Sequence, residues 1–168
     1  MKTRKGFTLV ELLIVIVIIG ILASSMLLSS ASATASAEAS NIVSELRSLK
    51  AATLMFYADS MDTVNSGGAN GVINATGSAK NLLGKYIDNP GKLSNLYLFK
   101  TTNISGVGRK WFVGYDLDQL TGEVKEKLAG KAKSTGLYSG ATSNTPPNNI
   151  AAADFFTVTG TSVWMIAR

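Results

Sequence analysis

The chain contains no cysteine and no histidine, and each absence excludes a class of chemistry. Without cysteine there is no disulfide, no thiolate nucleophile and no thiolate metal ligand. Without histidine the commonest general base and the commonest metal ligand are missing, so the usual catalytic triads and zinc sites are excluded. The carboxylates that remain fall in no recognisable catalytic motif. We therefore predict that the protein is not an enzyme and uses no cofactor and no metal ion.

Charge is also scarce, because charged residues make up only 16% of the chain. The formal net charge is +5, but three of the basic residues precede Gly6, and without them the net charge is +2. Recognition of nucleic acid needs positive charge clustered on one face. One basic stretch lies in the last third of the chain, and its lysines are interleaved with acidic residues: Lys125, Lys127, Lys131 and Lys133 beside Glu123 and Glu126. This mixture is typical of a solvated surface, so we expect no nucleic-acid partner.

Proline is nearly absent, and the first of the three prolines is Pro90. Nothing therefore interrupts a single helix over residues 7–60, which would be about 80 Å long at ~1.5 Å per residue. Residues 7–28 are apolar on all sides and long enough to span a bilayer, and a serine- and alanine-rich stretch follows over residues 29–40.

The second half of this helix is amphipathic. Its apolar positions recur every three or four residues, and they are Ile42, Leu46, Leu49, Thr53 and Phe56, widened by Val43, Leu54 and Tyr57. We expect this stripe to pack on a globular head while the first half of the helix protrudes from it.

One carboxylate, that of Glu11, lies near the start of the apolar run. A charge in such surroundings must be paired, and it marks a functional site by default. If the chain is cut after Gly6, the new amino group of Phe7 stands four residues from Glu11 and on the same helix face. The natural partner of Glu11 is therefore such an amine, from the same chain or from a neighbouring copy.

The N-terminal motif reads KGFTLVE from Lys5 to Glu11 and continues into an apolar helix that contains Gly20. It resembles the N-terminus of type IV pilins and of the related pseudopilins of type II secretion systems, and the resemblance extends to about Ala23. It implies a prepilin peptidase that cuts between Gly6 and Phe7 and then methylates the Phe7 amine.

The same resemblance implies a location and a set of partners. The precursor would be a single-pass protein of the inner membrane. An assembly platform would then draw it into a helical filament at the cell surface, made of copies of this chain and related minor pilins. In that filament Glu11 would neutralise the terminal amine of a neighbouring subunit. Neither an adhesion target nor a motility role follows from the motif.

Other interpretations of the N-terminus stay open. A conventional secretory signal would be cleaved near residues 31–37 and leave a mature start at Thr34 or Glu38, whereas a simple anchor would keep Met1. Within the pilin family the alternative is a pseudopilin of a type II secretion system. Leu28 stands where many pilins have a helix-breaking proline, and this departure favours a pseudopilin or a minor pilin.

We expect three parts: a leader (residues 1–6), the long helix (7–60, with 7–28 as membrane span or filament core) and a head (61–168). The predicted strands are residues 96–99, 111–115, 123–128 as the hairpin partner of 111–115, and a closing hairpin of 155–159 with 162–166. The fold class is therefore α+β, a long N-terminal α-helix packed against a small antiparallel sheet.

Glycine-rich segments over residues 63–78 and 130–149 are predicted loops and the expected contact surfaces of the head. A short helix is expected at 80–87. Asp116 and Asp118, with Glu123 nearby, offer oxygen ligands for calcium, but their spacing matches no calcium loop and a solvated turn fits better. Asn74 and Asn103 begin triplets of the glycosylation type, which are frequent by chance.

Overall fold

The computed structural model describes residues 6–59, 83–88, 91, 97–104, 106–140, 145–151 and 154–168. The elements in chain order are α1 (Leu9–Asp59), β1 (Tyr97–Ile104), β2 (Gly108–Asp116), α2 (Gly122–Thr135), β3 (Leu137–Ser139) and β4 (Ser162–Ile166). A long N-terminal helix packs against a small antiparallel sheet, so the predicted α+β class is confirmed.

Helix α1 is continuous over 51 residues and agrees with the prediction for residues 7–60 to within two residues. No other part of the chain that the structure describes covers its first half, and its most apolar window of 18 residues is entirely unburied. By length and composition this helix can cross a membrane. The apolar half of α1 therefore extends away from the globular part.

The second half of α1 packs on the sheet through the predicted stripe. The five positions that define that stripe, from Ile42 to Phe56, are buried, and two alanines, Ala35 and Ala39, extend the buried face toward the N-terminus. The buried Thr53 hydroxyl donates to the Leu49 carbonyl at 2.8 Å, so its burial leaves no polar atom unpaired. The prediction was wrong for Leu54, which is 41% exposed and lies on the outer face.

The described sheet has four strands in the order β1-β2-β4-β3, and all neighbouring strands are antiparallel. Residues 111–115 of the inner strand β2 are buried on both faces because a second layer covers the side opposite α1. Alternate residues Trp111, Val113 and Tyr115 join the core under α1. Phe112 points the other way and packs with Trp164 and Ile104 beneath the segment around Ile150.

Residues 123–128, predicted as a strand, belong to helix α2, so that prediction was wrong. The buried residues of α2 are Val124, Leu128 and Ala132, which are four apart and therefore share one helix face. The intervening lysine, glutamate and alanine residues are good helix formers. Gly136 ends the helix in the left-handed conformation (φ 68°), and its N–H donates to the Ala132 carbonyl.

The predicted closing hairpin of residues 155–159 with 162–166 was also wrong in its first half. β4 forms as predicted, but its partners are β2 and β3. Phe155 makes a single bridge to Tyr138, and no strand forms over 155–159. Part of the predicted loop at 130–149 instead supplies the end of α2 and the short strand β3.

Two further predictions lie wholly or partly outside the described residues. The loop at 63–78 is one of them. Of the short helix predicted at 80–87, residues 83–87 are described: Leu83 is helical, and the turn after it is closed by the Tyr86 N–H, which donates to the Leu83 carbonyl at 2.9 Å. The hydroxyl of Tyr86 then donates to Asp59 at 2.6 Å, which ties this turn to the end of α1.

Candidate functional site at the N-terminus of α1

The first turn of α1 is closed by reciprocal hydrogen bonds between Thr8 and Glu11. The Thr8 backbone N–H donates to Glu11 Oε2 at 2.7 Å, and the Glu11 N–H donates to Thr8 Oγ1 at 3.3 Å. The Thr8 hydroxyl also donates to Glu11 Oε2 at 2.7 Å. This is a capping box, in which the residue before the helix and the third helical residue satisfy each other's free N–H groups.

The cap gives Glu11 a role that the sequence-based prediction missed. The first N–H groups of a helix have no acceptor within the helix, and in apolar surroundings there is no water to accept their hydrogen bonds. The signal was present in the sequence as a threonine followed three residues later by a glutamate. The prediction rested instead on the charge of Glu11 and the amine of Phe7.

The predicted processing residues lie immediately before this cap. Gly6 and Phe7 precede the first helical residue, both are exposed, and the Phe7 side chain is 90% exposed. The structure thus brings Thr8 and Glu11 together beside an accessible Gly6–Phe7 bond. In the uncut chain the Phe7 nitrogen belongs to a peptide bond, so the predicted pairing of its free amine with Glu11 stays a prediction.

Hydroxyl groups along the first half of α1 bond to the helix itself. Ser24 donates to the Gly20 carbonyl at 2.8 Å, Ser25 to the Leu22 carbonyl at 2.8 Å, and Thr34 to the Ala31 carbonyl at 2.8 Å. Such bonds satisfy the hydroxyl without an external partner. This surface can therefore pass into lipid or against other helices without leaving these donors unpaired.

The aspartates considered for calcium form a turn. The Asp118 N–H donates to Asp116 Oδ1 at 2.9 Å, so this carboxylate already serves a local hydrogen bond. Within the described ranges, no group of three or more acidic side chains is close enough together to hold a metal ion. Asn103, one of the two glycosylation-type positions, is exposed on β1, and Asn74 lies outside the described residues.

The lysines of α2 do not form one basic face. Lys131 turns toward α1, where its Nζ donates to Ser40 Oγ and approaches the Ser36 carbonyl at 3.5 Å. Lys133 is exposed to solvent, with Glu123 and Glu126 also exposed. The stretch therefore contributes a helix–helix contact and a mixed-charge surface.

Comparison with known proteins also points to the N-terminal segment that contains Gly6, Phe7 and Glu11. A family model described as the prokaryotic N-terminal methylation motif matches residues 1–27. The type IV major pilin protein PilE1 of Neisseria gonorrhoeae is 30% identical over 146 residues, which covers 76% of this chain and 79% of that protein. A fimbrial protein of Pseudomonas aeruginosa is 41% identical over 66 residues, 39% of this chain and 43% of that protein. No solved structure gives a significant match.

Proposed function

Because this chain belongs to the type IV pilin family, we propose that it is the structural subunit of a type IV pilus-like filament. It is made as an inner-membrane precursor, cleaved between Gly6 and Phe7, methylated on the Phe7 amine and polymerised through α1. Its mechanism is assembly. The prepilin peptidase supplies the cleavage and methylation chemistry.

The observation that carries this proposal is the uncovered apolar half of α1. Its large side chains from Phe7 to Leu27 are between 50% and 90% exposed. Monomeric soluble proteins rarely expose a contiguous apolar surface of more than a few hundred Å². Lipid covers this surface in the precursor, and the same segments of neighbouring subunits cover it in the filament.

The Thr8–Glu11 cap supports the proposed role for Glu11. Oε2 accepts both hydrogen bonds that Thr8 donates to the carboxylate, and no described residue donates to Oε1. The capped carboxylate is thereby held in one orientation beside the Phe7 position. We assign to Oε1 the terminal ammonium of a neighbouring subunit's Phe7, because a carboxylate inside apolar packing needs a counter-charge.

The test is a pair of glutamate variants in cells that assemble filaments. Glu11→Gln keeps a side chain that suits the capping box but removes the charge. We expect normal membrane insertion and at least a tenfold loss of filaments in electron micrographs of sheared surface material. Glu38→Gln is the matched control, since Glu38 is exposed on α1 beyond the apolar half, and it should leave filaments unchanged. Normal filaments from Glu11→Gln would refute the role of the charge.

One observation favours the pseudopilin alternative: α1 runs without interruption through Leu28, where many pilins have proline. A pseudopilin forms a short filament that drives secretion. Long external fibres from cells that produce the unaltered chain favour the pilin. Absence of such fibres, together with loss of protein secretion on deletion of this chain, favours the pseudopilin.

A further inference from the structure

The two ends of strand β2 carry opposite charge. Basic residues stand at the start of β2 and beside it, where the neighbouring strand β4 has ended: Arg109, Lys110 and Arg168. Exposed acidic residues follow the other end of β2, in the next turn and in the first two turns of α2: Asp118, Glu123 and Glu126. We refer to these two groups as the basic end and the acidic end of the globular part.

The basic end is held in place by a β-bulge. The N–H groups of Ala167 and Arg168 both donate to the Trp111 carbonyl, at 2.7 and 3.4 Å, and the Trp111 N–H donates to the Arg168 carbonyl at 2.8 Å. Two residues therefore oppose one, which is the pattern of a bulge. The Arg168 side chain lies toward α1, where its guanidinium carbon is 3.6 Å from the centroid of the Tyr57 ring. A guanidinium stacked in this way is preorganised for binding, because it loses little further side-chain freedom.

The acidic end begins in a well-anchored turn that leads into α2. Leu117 is fully buried, and its N–H donates to the Thr161 carbonyl at 2.9 Å. The Asp118 N–H donates to Asp116 Oδ1 at 2.9 Å, while the Asp118 side chain is exposed. Residues 116–127 contain four carboxylates and two lysines, so this end has a net charge of −2.

The two charged ends are too far apart to pair within one chain. Strand β2 has nine residues, and at ~3.3 Å per residue its ends are about 26 Å apart. This separation is about three times the Debye length of ~8 Å at physiological ionic strength, so neither end neutralises the other. A contact between a basic end and an acidic end therefore has to join two copies of the chain.

A contact between the basic end of one copy and the acidic end of another has the geometry of a polymer. It uses a different surface on each copy, which makes it heterologous, and it leaves one basic end and one acidic end free for the next copies. Such contacts build open helical assemblies unless the rotation between copies closes a ring. A symmetric dimer through either end would instead bring like charges together, and that arrangement is repulsive.

We propose that the basic end of each subunit binds the acidic end of a neighbouring copy of this chain, and that this contact sets the register of the globular parts. The inference rests on the proposed assembly of the chain, since α1 brings the copies together. Apolar packing between the first halves of α1 is not directional, so it fixes their register weakly. Charge pairs between specified side chains do fix the register, because a displaced copy brings like charges together.

Cross-linking is a direct test, because the chain contains no cysteine of its own. Arg109→Cys and Asp118→Cys each place one thiol at an exposed position of one end, and the two variants are produced together in the same cells. Membranes and sheared filaments are treated with a short bismaleimide. We expect a dimer joined between positions 109 and 118, identified by mass spectrometry, at a yield at least fivefold above that from either variant alone. Lys133→Cys replaces Asp118→Cys in the matched control, since Lys133 is exposed on α2 outside the acidic end.

Charge reversal tests whether the contact is electrostatic. Arg109→Glu and Asp118→Arg each bring like charges together in the contact, so each alone should lower the number of filaments in electron micrographs at least fivefold. Produced together, the two variants can alternate, because the reversed end of each matches the reversed end of the other, and filaments should return to within about twofold of the unaltered chain. Lys133→Glu is the matched control, since it changes the net charge as Arg109→Glu does, and it should leave filaments unchanged. Circular dichroism checks that each variant is folded.

Cross-links between positions 109 and 118, together with filaments that the mixture of reversed chains restores, support the proposal. Three results overturn it: cross-linking no greater than in the control, normal filaments from either reversed chain alone, or a loss with Arg109→Glu that Asp118→Arg neither shares nor restores, which would point to an anionic partner other than this chain. Cross-linking is also scored in membranes, so it reports on the contact even in cells without long fibres. Filaments that Glu11→Gln removes and the reversed chains retain would leave the assembly role intact and remove only this contact.

Discussion

The Glu11 side chain caps its own helix, and the same carboxylate is proposed to pair with an amine of another subunit. The carboxylate of Glu11 completes the first turn of α1, and its negative charge near the helix N-terminus is favoured by the positive end of the helix dipole. The same charge is available to an amine from another subunit. The position of Glu11 is therefore set by its own helix before any partner arrives.

Gly114 is required for a close contact within the sheet. It lies opposite Trp164 on the neighbouring strand β4, and a Cβ atom at this position would stand 2.6 Å from the indole ring. That distance is shorter than real Cβ contacts, and the ring is buried and cannot move aside freely. The absence of a side chain at Gly114 is what lets the indole lie over β2.

We predict that Gly114→Ala lowers the free energy of unfolding by about 1–3 kcal/mol, as overpacked core sites do. The control is Gly130→Ala, because Gly130 lies inside α2 and a Cβ atom added there would meet open space. This change should raise stability by about 0.5–1 kcal/mol through helix propensity. Thermal unfolding of the full chain in detergent, followed by tryptophan fluorescence, measures both. An unchanged melting temperature for Gly114→Ala would contradict the packing argument.

Among the elements, α1 and β2 were predictable because their signals are local. The stripe from Ile42 to Phe56 repeats along the helix, and no proline interrupts it. The aromatic and β-branched residues 111–115 form the centre of β2. In both cases the short-range preference of the chain agrees with its tertiary surroundings.

The sequence-based predictions were wrong for helix α2 and strand β3. Residues 123–128 were expected to pair with 111–115 in a hairpin, and that expectation overrode their local pattern. The spacing of Val124, Leu128 and Ala132 was already helical, and Gly136 was already a helix-ending signal. For β3, three residues carry too little pattern to predict a strand. It forms because β4 offers an edge for pairing, and that information lies in a distant part of the chain.

The candidate site at the N-terminus of α1 also rests on a local signal. The capping box is a local motif, so it was present in the sequence although the prediction missed it.

The contact between α1 and β1 includes a tyrosine whose ionisation is linked to stability. Tyr97 is buried on β1, and burial is the main cause that raises the pKa of its phenol well above the ordinary value, with the charge of the Glu45 carboxylate on α1 and a hydrogen bond to it as further causes. A raised pKa in the folded state means that the neutral phenol stabilises the fold. This contribution is complete below the unfolded-state pKa of about 10 and is lost as the pH rises toward the folded-state pKa.

We therefore predict that the free energy of unfolding falls as the pH rises above about 10, and that Tyr97→Phe makes this dependence less steep. Tyr138→Phe is the control, since Tyr138 lies on β3 at the other edge of the sheet. Denaturant unfolding of the full chain at several alkaline pH values gives the slopes. Equal slopes for Tyr97→Phe and the unaltered chain would contradict the linkage.

At the scale of the whole molecule, the two halves of α1 have different surfaces. The first half of α1 presents apolar side chains with internally bonded hydroxyls, and one face of the second half is covered by the sheet and α2. Family membership implies that pilin subunits of this kind assemble into filaments. In the proposed filament the apolar halves form the centre, and the globular parts face outward.

The most direct test of this account is the identity of the first residue of the mature protein. Mass spectrometry of N-terminal peptides from purified surface filaments should show a chain that begins at Phe7 with a methylated α-amine. The free, methylated nitrogen is the counter-charge that the proposed role of Glu11 requires. An intact Met1, or a start at Thr34 or Glu38, would contradict the account and leave an anchored or conventionally exported protein.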